Sequence, residues 1–131
     1  MTLPAEIRRY LAAYNRRDVP GMLRLVSHDV RFQNLVDGAV TAEARGLEAF
    51  RSLAETGARA FARRCQVVEQ AMTVSDTTLA EITFTAVVAV DLPNGWRAGQ
   101  QVRIAGRSLF QIRLGTLIRI VDQSESGSDN R

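Results

Sequence analysis

Residues Val102 to Ser124 constrain the fold of this chain more than any other stretch. They read V-R-I-A-G-R-S-L-F-Q-I-R, then Leu114-Gly115-Thr116, then L-I-R-I-V-D-Q-S. On the first arm Val102, Ile104, Gly106, Ser108, Phe110 and Ile112 fall on even positions, with Arg103, Arg107, Gln111 and Arg113 between them. Side chains of a strand alternate between two faces, so this pattern predicts a strand buried on one side. On the second arm Ile118, Ile120, Asp122 and Ser124 share a face. If that face also meets the core, a carboxylate and the Ser108 and Ser124 hydroxyls point into apolar surroundings. Burying an unpaired carboxylate is costly. Asp122 is therefore expected to be paired, protonated, or lining a cavity that takes a ligand.

Upstream, Pro4 suits a helix start, and Ile7, Tyr10, Leu11 and Tyr14 follow as an apolar stripe at helical spacing. Asp18 predicts the N-cap of a short second helix with Pro20 in its first turn. Ser27-His28-Asp29 ends that helix in this reading. Val30 to Asn34 alternates as a strand with Val30, Phe32 and Asn34 on one face, and Leu35 to Arg45 reads as a loop with a turn at Asp37-Gly38. Gly46 opens a third helix carrying Leu47, Phe50, Leu53, Ala54, Gly57 and Phe61. Strands are expected over Cys65–Val74 and Leu79–Asp91, with turns at Ser75-Asp76-Thr77 and Leu92-Pro93-Asn94-Gly95. Residues 1–124 form one α+β domain in this reading, three helices packed on one face of a curved, mainly antiparallel sheet. Residues 125–131 are a polar tail, expected to be disordered.

At 131 residues the chain has room for one core. No apolar run approaches the ~20 residues of a membrane helix, and the first residues lack the layout of a signal peptide. The single cysteine, Cys65, cannot close an internal disulfide, in keeping with a reducing cytoplasm. The sequence pI is near 10.0 although the net charge is only +3. All 17 basic residues are arginine, so a small surplus pushes the pI high. The arginines are scattered and aromatics make up only 6%, which speaks against a nucleic-acid surface. The arginine-rich, alanine-rich composition suits a GC-rich bacterium.

With this element order, the residues resemble the SnoaL-like and ketosteroid-isomerase-like group of the nuclear-transport-factor-like superfamily, from about Ile7 to Ser124. The resemblance is carried by Tyr14-Asn15 with Asp18, by S-H-D-V-R-F, by G-L-E-A-F opening the long helix, and by S-L-F-Q-I-R-L-G-T-L-I-R-I-V-D. It implies a cone-shaped α+β barrel around a deep apolar pocket, with the outer sheet face often making a dimer. Members include isomerases, polyketide cyclases and epoxide hydrolases, so the fold does not settle the reaction.

Carried over residue by residue, the resemblance puts Tyr10 where isomerases place an oxyanion-donating tyrosine. Asn34 stands where they have the general-base aspartate, and an amide cannot take that proton. Their second oxyanion donor falls near Ser108. A straight count gives Arg107, but strand parity favours Ser108. Asp122 matches an acid/base aspartate of the SnoaL-like cyclases on the last strand.

Asp122 and Tyr10 are thus the candidate catalytic residues, and Tyr14, Asn34, Ser108, Phe32, Phe110 and Trp96 the candidate substrate-binding ones. The plain alternatives are an Arg-paired carboxylate at the sheet end, packed tyrosines, an Asn that ends a strand and a small Ser that relieves crowding. Trp96 covers either the pocket mouth or a dimer contact. His28 sits in a Ser-His-Asp triplet, but adjacency in sequence makes no catalytic triad, and a solvated helix end accounts for it. No spacing suggests a metal site, and no glycine-rich phosphate loop follows a strand.

The expected function is a cofactor-independent SnoaL-like enzyme of cyclase or isomerase type, acting on a hydrophobic oxygenated small molecule. The alternative is a non-catalytic small-molecule-binding homodimer of the same fold. Leu79, Val87, Ala89, Leu109, Leu117 and Val121 are expected on the outer sheet face, too apolar to stay wet, which points to a homodimer there.

Overall fold

The structure, a computed structural model, describes residues 2–126. Met1 and residues 127–131, the latter most of the expected tail, lie outside the described residues. The chain runs α1 (Ala5–Asn15), α2 (Val19–Leu23), β1 (Val26–Val36), β2 (Ala39–Arg45), α3 (Leu47–Ala60), β3 (Phe61–Val74), β4 (Thr77–Val88), β5 (Gln101–Arg113) and β6 (Thr116–Ser124). The strands form one six-stranded sheet in the order β2-β1-β6-β5-β4-β3. Only β1 and β6 pair in parallel. The α+β layout with a mainly antiparallel sheet is as expected.

Local chemistry explains the helix starts. Asp18 caps α2, its carboxylate accepting from the Gly21 N–H at 3.0 Å, a contact worth about 1 kcal/mol. Gly21 has to lack a side chain there, because a Cβ would strike the Asp18 carboxylate. Arg17, at φ 57°, makes the sharp reversal between α1 and α2.

Four expectations are corrected. Ser27, His28 and Asp29 do not end a helix; they lie within β1, and His28 is exposed there. The supposed loop after Leu35 contains β2. Asp37-Gly38, with φ of 54° and 80°, is a hairpin turn, and β2 is an edge strand with Ala44 as its only buried residue. A strand with so little core contact carries no apolar alternation to read.

The third correction is at Phe61, which begins β3 instead of closing α3. The fourth is in β6. Gln111 pairs with Arg119 while Ile112 pairs with Leu117, so Ile118 is the extra residue of a bulge. The bulge turns Leu117 inward, where it is fully buried, instead of onto the outer face.

The main core joins Ile7, Tyr10 and Leu11 of α1 and Met22 of α2 to Phe50 and Ala54 of α3 and to Val30, Ala80, Ile82, Phe110, Leu117 and Ile120 of the sheet. A smaller cluster at the other end gathers Ala86, Val88 and Val102, with Phe61, Phe84, Leu92 and Trp96 against them. No helix among the described residues is long and apolar enough to cross a membrane.

Candidate functional site

Between the helices and the sheet lies a cavity of about 680 Å³. Its apolar lining comes from Met22, Phe32, Phe50, Leu53, Ala54, Phe61, Ile82, Phe84, Trp96 and Ile104. Its polar lining comes from Tyr10, Tyr14, Asn34, Arg64, Gln66, Ser108 and Asp122, and from Thr41, Asn94, Arg107, Gln123, Ser124, Glu125 and Ser126. A mainly apolar wall surface with polar groups set into it is the usual make-up of a small-molecule site.

Ser108 and Asp122 are cross-strand partners on β5 and β6. The Ser108 Oγ–H donates to Asp122 Oδ1 at 2.6 Å. Among the described residues no arginine pairs with Asp122, and Oδ1 alone accepts a protein hydrogen bond. Burial raises the Asp122 carboxyl to about 6, against the opposing effect of the Ser108 hydrogen bond. Desolvation wins because a single neutral donor cannot replace the hydration of a carboxylate. The group therefore exchanges its proton near neutral pH.

Tyr10, one helical turn before Tyr14, presents its ring to the core. It packs on Phe110 at 6.2 Å and Phe50 at 6.5 Å between centroids. Its hydroxyl makes no hydrogen bond to protein among the described residues. Burial raises the phenol well above its ordinary value, and the charge of Asp122 adds to the rise. Tyr10 thus remains a protonated donor, close enough to Asp122 to feel its charge.

Tyr14 is also raised by burial, with the Arg64 cation and the Gln66 amide working in the opposite direction. The Arg64 guanidinium carbon stands 3.7 Å over the Tyr14 ring, a cation–π geometry.

Asn34 reaches the cavity wall next to Asp122, its partner in the parallel β1–β6 register. Its Nδ2 donates to Thr41 Oγ1 at 2.8 Å, and Thr41 donates to the Asn34 backbone carbonyl at 3.2 Å. Phe32 lines the wall and meets Phe50 edge-on at 5.9 Å. Trp96, in the loop after β4, packs on Phe61 at 6.3 Å and lies at the cavity margin.

Phe110 is the exception among the expected binding residues. It is 1% exposed and does not line the cavity, because Tyr10 stands against its ring. Its even parity was right for the core but could not tell core from cavity wall.

Arg64 and Gln66 are buried-side polar residues of the cavity that the sequence did not single out, and Arg64 is the charged one. It stood in a run of two arginines with no feature to single it out, yet it is only 6% exposed. The available signal was positional, since Arg64 falls where helical periodicity gives way to β3. Among the described residues no three His, Cys, Asp or Glu side chains gather as a metal site. Cys65 is a free thiol on β3.

Comparison with known proteins fits this architecture. The family profile of the SnoaL-like domain matches residues 7–121. The chain belongs to the SnoaL-like family. The match stops one residue short of Asp122, so that residue is argued from its geometry. Among solved structures, a SnoaL-like chain of this kind resembles a protein from Pseudomonas putida assigned as a polyketide cyclase. The identity is 22%, over 98% of this chain and 95% of that one, with a TM-score of 0.77. A Catenulispora acidiphila protein with a ketosteroid-isomerase-like fold is 14% identical over 97% of this chain and 90% of its own, with a TM-score of 0.80. An epoxide hydrolase of M. tuberculosis is 15% identical over 94% and 82%, with a TM-score of 0.71. No curated protein gives a significant match. Likeness at these identities establishes the fold.

Proposed function

We propose that this SnoaL-like protein is an enzyme that processes a hydrophobic, oxygenated small molecule by acid/base chemistry in its cavity, without a cofactor. The reaction is of the polyketide-cyclase or isomerase type, in a cone-shaped barrel that closes around the substrate. The observation that carries this reading is the Ser108–Asp122 pair: a carboxyl raised to about 6 by burial, in an apolar wall.

Ionised Asp122 takes a proton from the carbon next to a substrate carbonyl. The Tyr10 hydroxyl donates to the carbonyl oxygen as charge develops on it, and Asp122 then returns the proton to another carbon or to the oxygen. A base near the working pH is well matched to such a transfer, and a desolvated phenol donor acts on the developing oxyanion. Tyr14, Phe32, Asn34, Ser108 and Trp96 shape and orient. The names of structural relatives, a polyketide cyclase and an epoxide hydrolase among them, support small-molecule chemistry in this fold.

Asp122→Asn should abolish turnover while leaving fold and ligand binding intact. Full activity in that variant would remove Asp122 from the chemistry.

The second reading is a binding protein without catalysis. The engagement of Asn34 by Thr41 favours it, since the isomerase base position is an amide already tied to a neighbour. A bound ligand recovered unchanged after long incubation would decide for this reading.

Both readings include a cytoplasmic homodimer through the outer sheet face. Support comes from Met72, Leu79, Leu109 and Val121, which stand side by side across β3, β4, β5 and β6. Met72 is 66% and Leu79 53% exposed in the single chain.

A further inference from the structure

Arg64 is a buried cation for which the described residues provide no anion. Its Nε donates to the Tyr14 carbonyl at 2.8 Å, and its Nη2 meets the Met22 thioether at 3.7 Å. The third partner is the Tyr14 side chain, whose ring face lies against the guanidinium and whose phenol the cation also supports as a donor. A guanidinium carries five N–H groups and a full charge, and these partners are all neutral, so none of them balances it. Among the described residues no carboxylate lies within ion-pair distance of it. Burial accordingly lowers the Arg64 pKa, yet an arginine remains charged in proteins.

Two neighbouring features mark the same spot as unfinished. Gln66, two residues along β3 and on the same face, has a buried Oε1 without a hydrogen-bond partner. Gly57 of α3 faces Nη1, and a Cβ there would come within 3.3 Å of it. The missing side chain leaves the guanidinium room on that side. Arg64, Gln66 and Gly57 all line the cavity.

Asp122 does not supply the missing charge. Its carboxyl is raised by burial, with no relief from Arg64. Tyr10 and Tyr14 both feel the charges of Arg64 and Asp122, and all four residues line the same cavity.

We propose that Arg64 anchors a carboxylate on the ligand, so that the ligand is an amphiphile with its acid end at Arg64 and its apolar body reaching toward Asp122. One arginine balances one monoanionic head, and a guanidinium matches a carboxylate in shape through two parallel N–H donors. This deepens the small-molecule reading and rests on the cavity being its ligand site. It does not depend on Asp122 being catalytic.

The test compares 1-naphthylacetate with its methyl ester, which keeps the aromatic body and removes the charge. Affinities are measured by calorimetry on the full chain, for wild type, Arg64→Gln, Gly57→Ala and Asp122→Asn. Wild type should bind the acid at least tenfold more tightly than the ester. Arg64→Gln should lose that preference while holding the ester as before, and Gly57→Ala should reduce it by crowding Nη1. Asp122→Asn should retain it, which separates anchoring from proton transfer.

Equal affinity for acid and ester in wild type, binding of neither, or a preference that survives in Arg64→Gln overturns the proposal. If Arg64→Gln fails to fold, an undiminished preference in Gly57→Ala overturns it.

Discussion

Ser108 and Asp122 face each other across β5 and β6, and their 2.6 Å hydrogen bond is the only protein donor to that carboxylate among the described residues. The bond stabilises the ionised form, and burial opposes it more strongly. Ser108→Ala removes the favourable contribution, so the Asp122 pKa should climb beyond about 6. A carboxyl-carbon NMR titration of Asp122 in the two proteins checks this. A value that stays or falls in the variant would show that the serine does not hold the charge.

The same shift gives a stability prediction. Asp122 binds its proton more tightly when folded, at about 6 against 3.8. Its contribution to stability is fully present below the lower value and is lost as pH rises through the upper one. The loss is about 3 kcal/mol. Urea unfolding between pH 4 and 7 should show it, and Asp122→Asn should flatten that part of the profile.

Tyr10→Phe should keep the packing on Phe50 and Phe110 and remove only the hydroxyl. If that hydroxyl donates to the developing oxyanion, turnover falls by about a hundredfold. The loss should fall in kcat, with little change in KM or Tm. An equal loss in KM alone would make Tyr10 a binding residue.

The outer row of Met72, Leu79, Leu109 and Val121 predicts the assembly. Leu109→Asp places a charge in the middle of that row, and should turn a dimer into a monomer in sedimentation analysis. A wild-type protein that sediments as a monomer at all concentrations would refute the interface.

The sequence exposed the parts of this fold where burial is one-sided. Along β5, Val102, Ser108 and Phe110 are all buried, as their even positions required. Asp122 keeps the inward face of its partner Ser108 because the Ile118 bulge lies before it. That bulge, however, reversed Leu117, and bulges follow from pairing register, which no single strand reveals. β2 was invisible because an edge strand with one buried residue has no alternation to show.

The candidate site divides in a similar way. Tyr10, Tyr14, Asn34, Ser108 and Asp122 were reached through periodicity and resemblance, and all five line the cavity. Arg64 was not reached, since charge in a sequence reads as surface. Its burial comes from the approach of α1, α2 and α3 to the first residues of β3, and that is a tertiary fact.

The most direct test of the central claim is proton exchange on a model ketone. 1-Tetralone, hydrophobic and oxygenated, is incubated in heavy water near neutral pD, and the loss of its α-hydrogen signals is followed by NMR. Wild-type protein should accelerate exchange over buffer, and Asp122→Asn, folded to the same degree, should not. Equal acceleration by both proteins, or none by wild type, would contradict an acid/base role for Asp122.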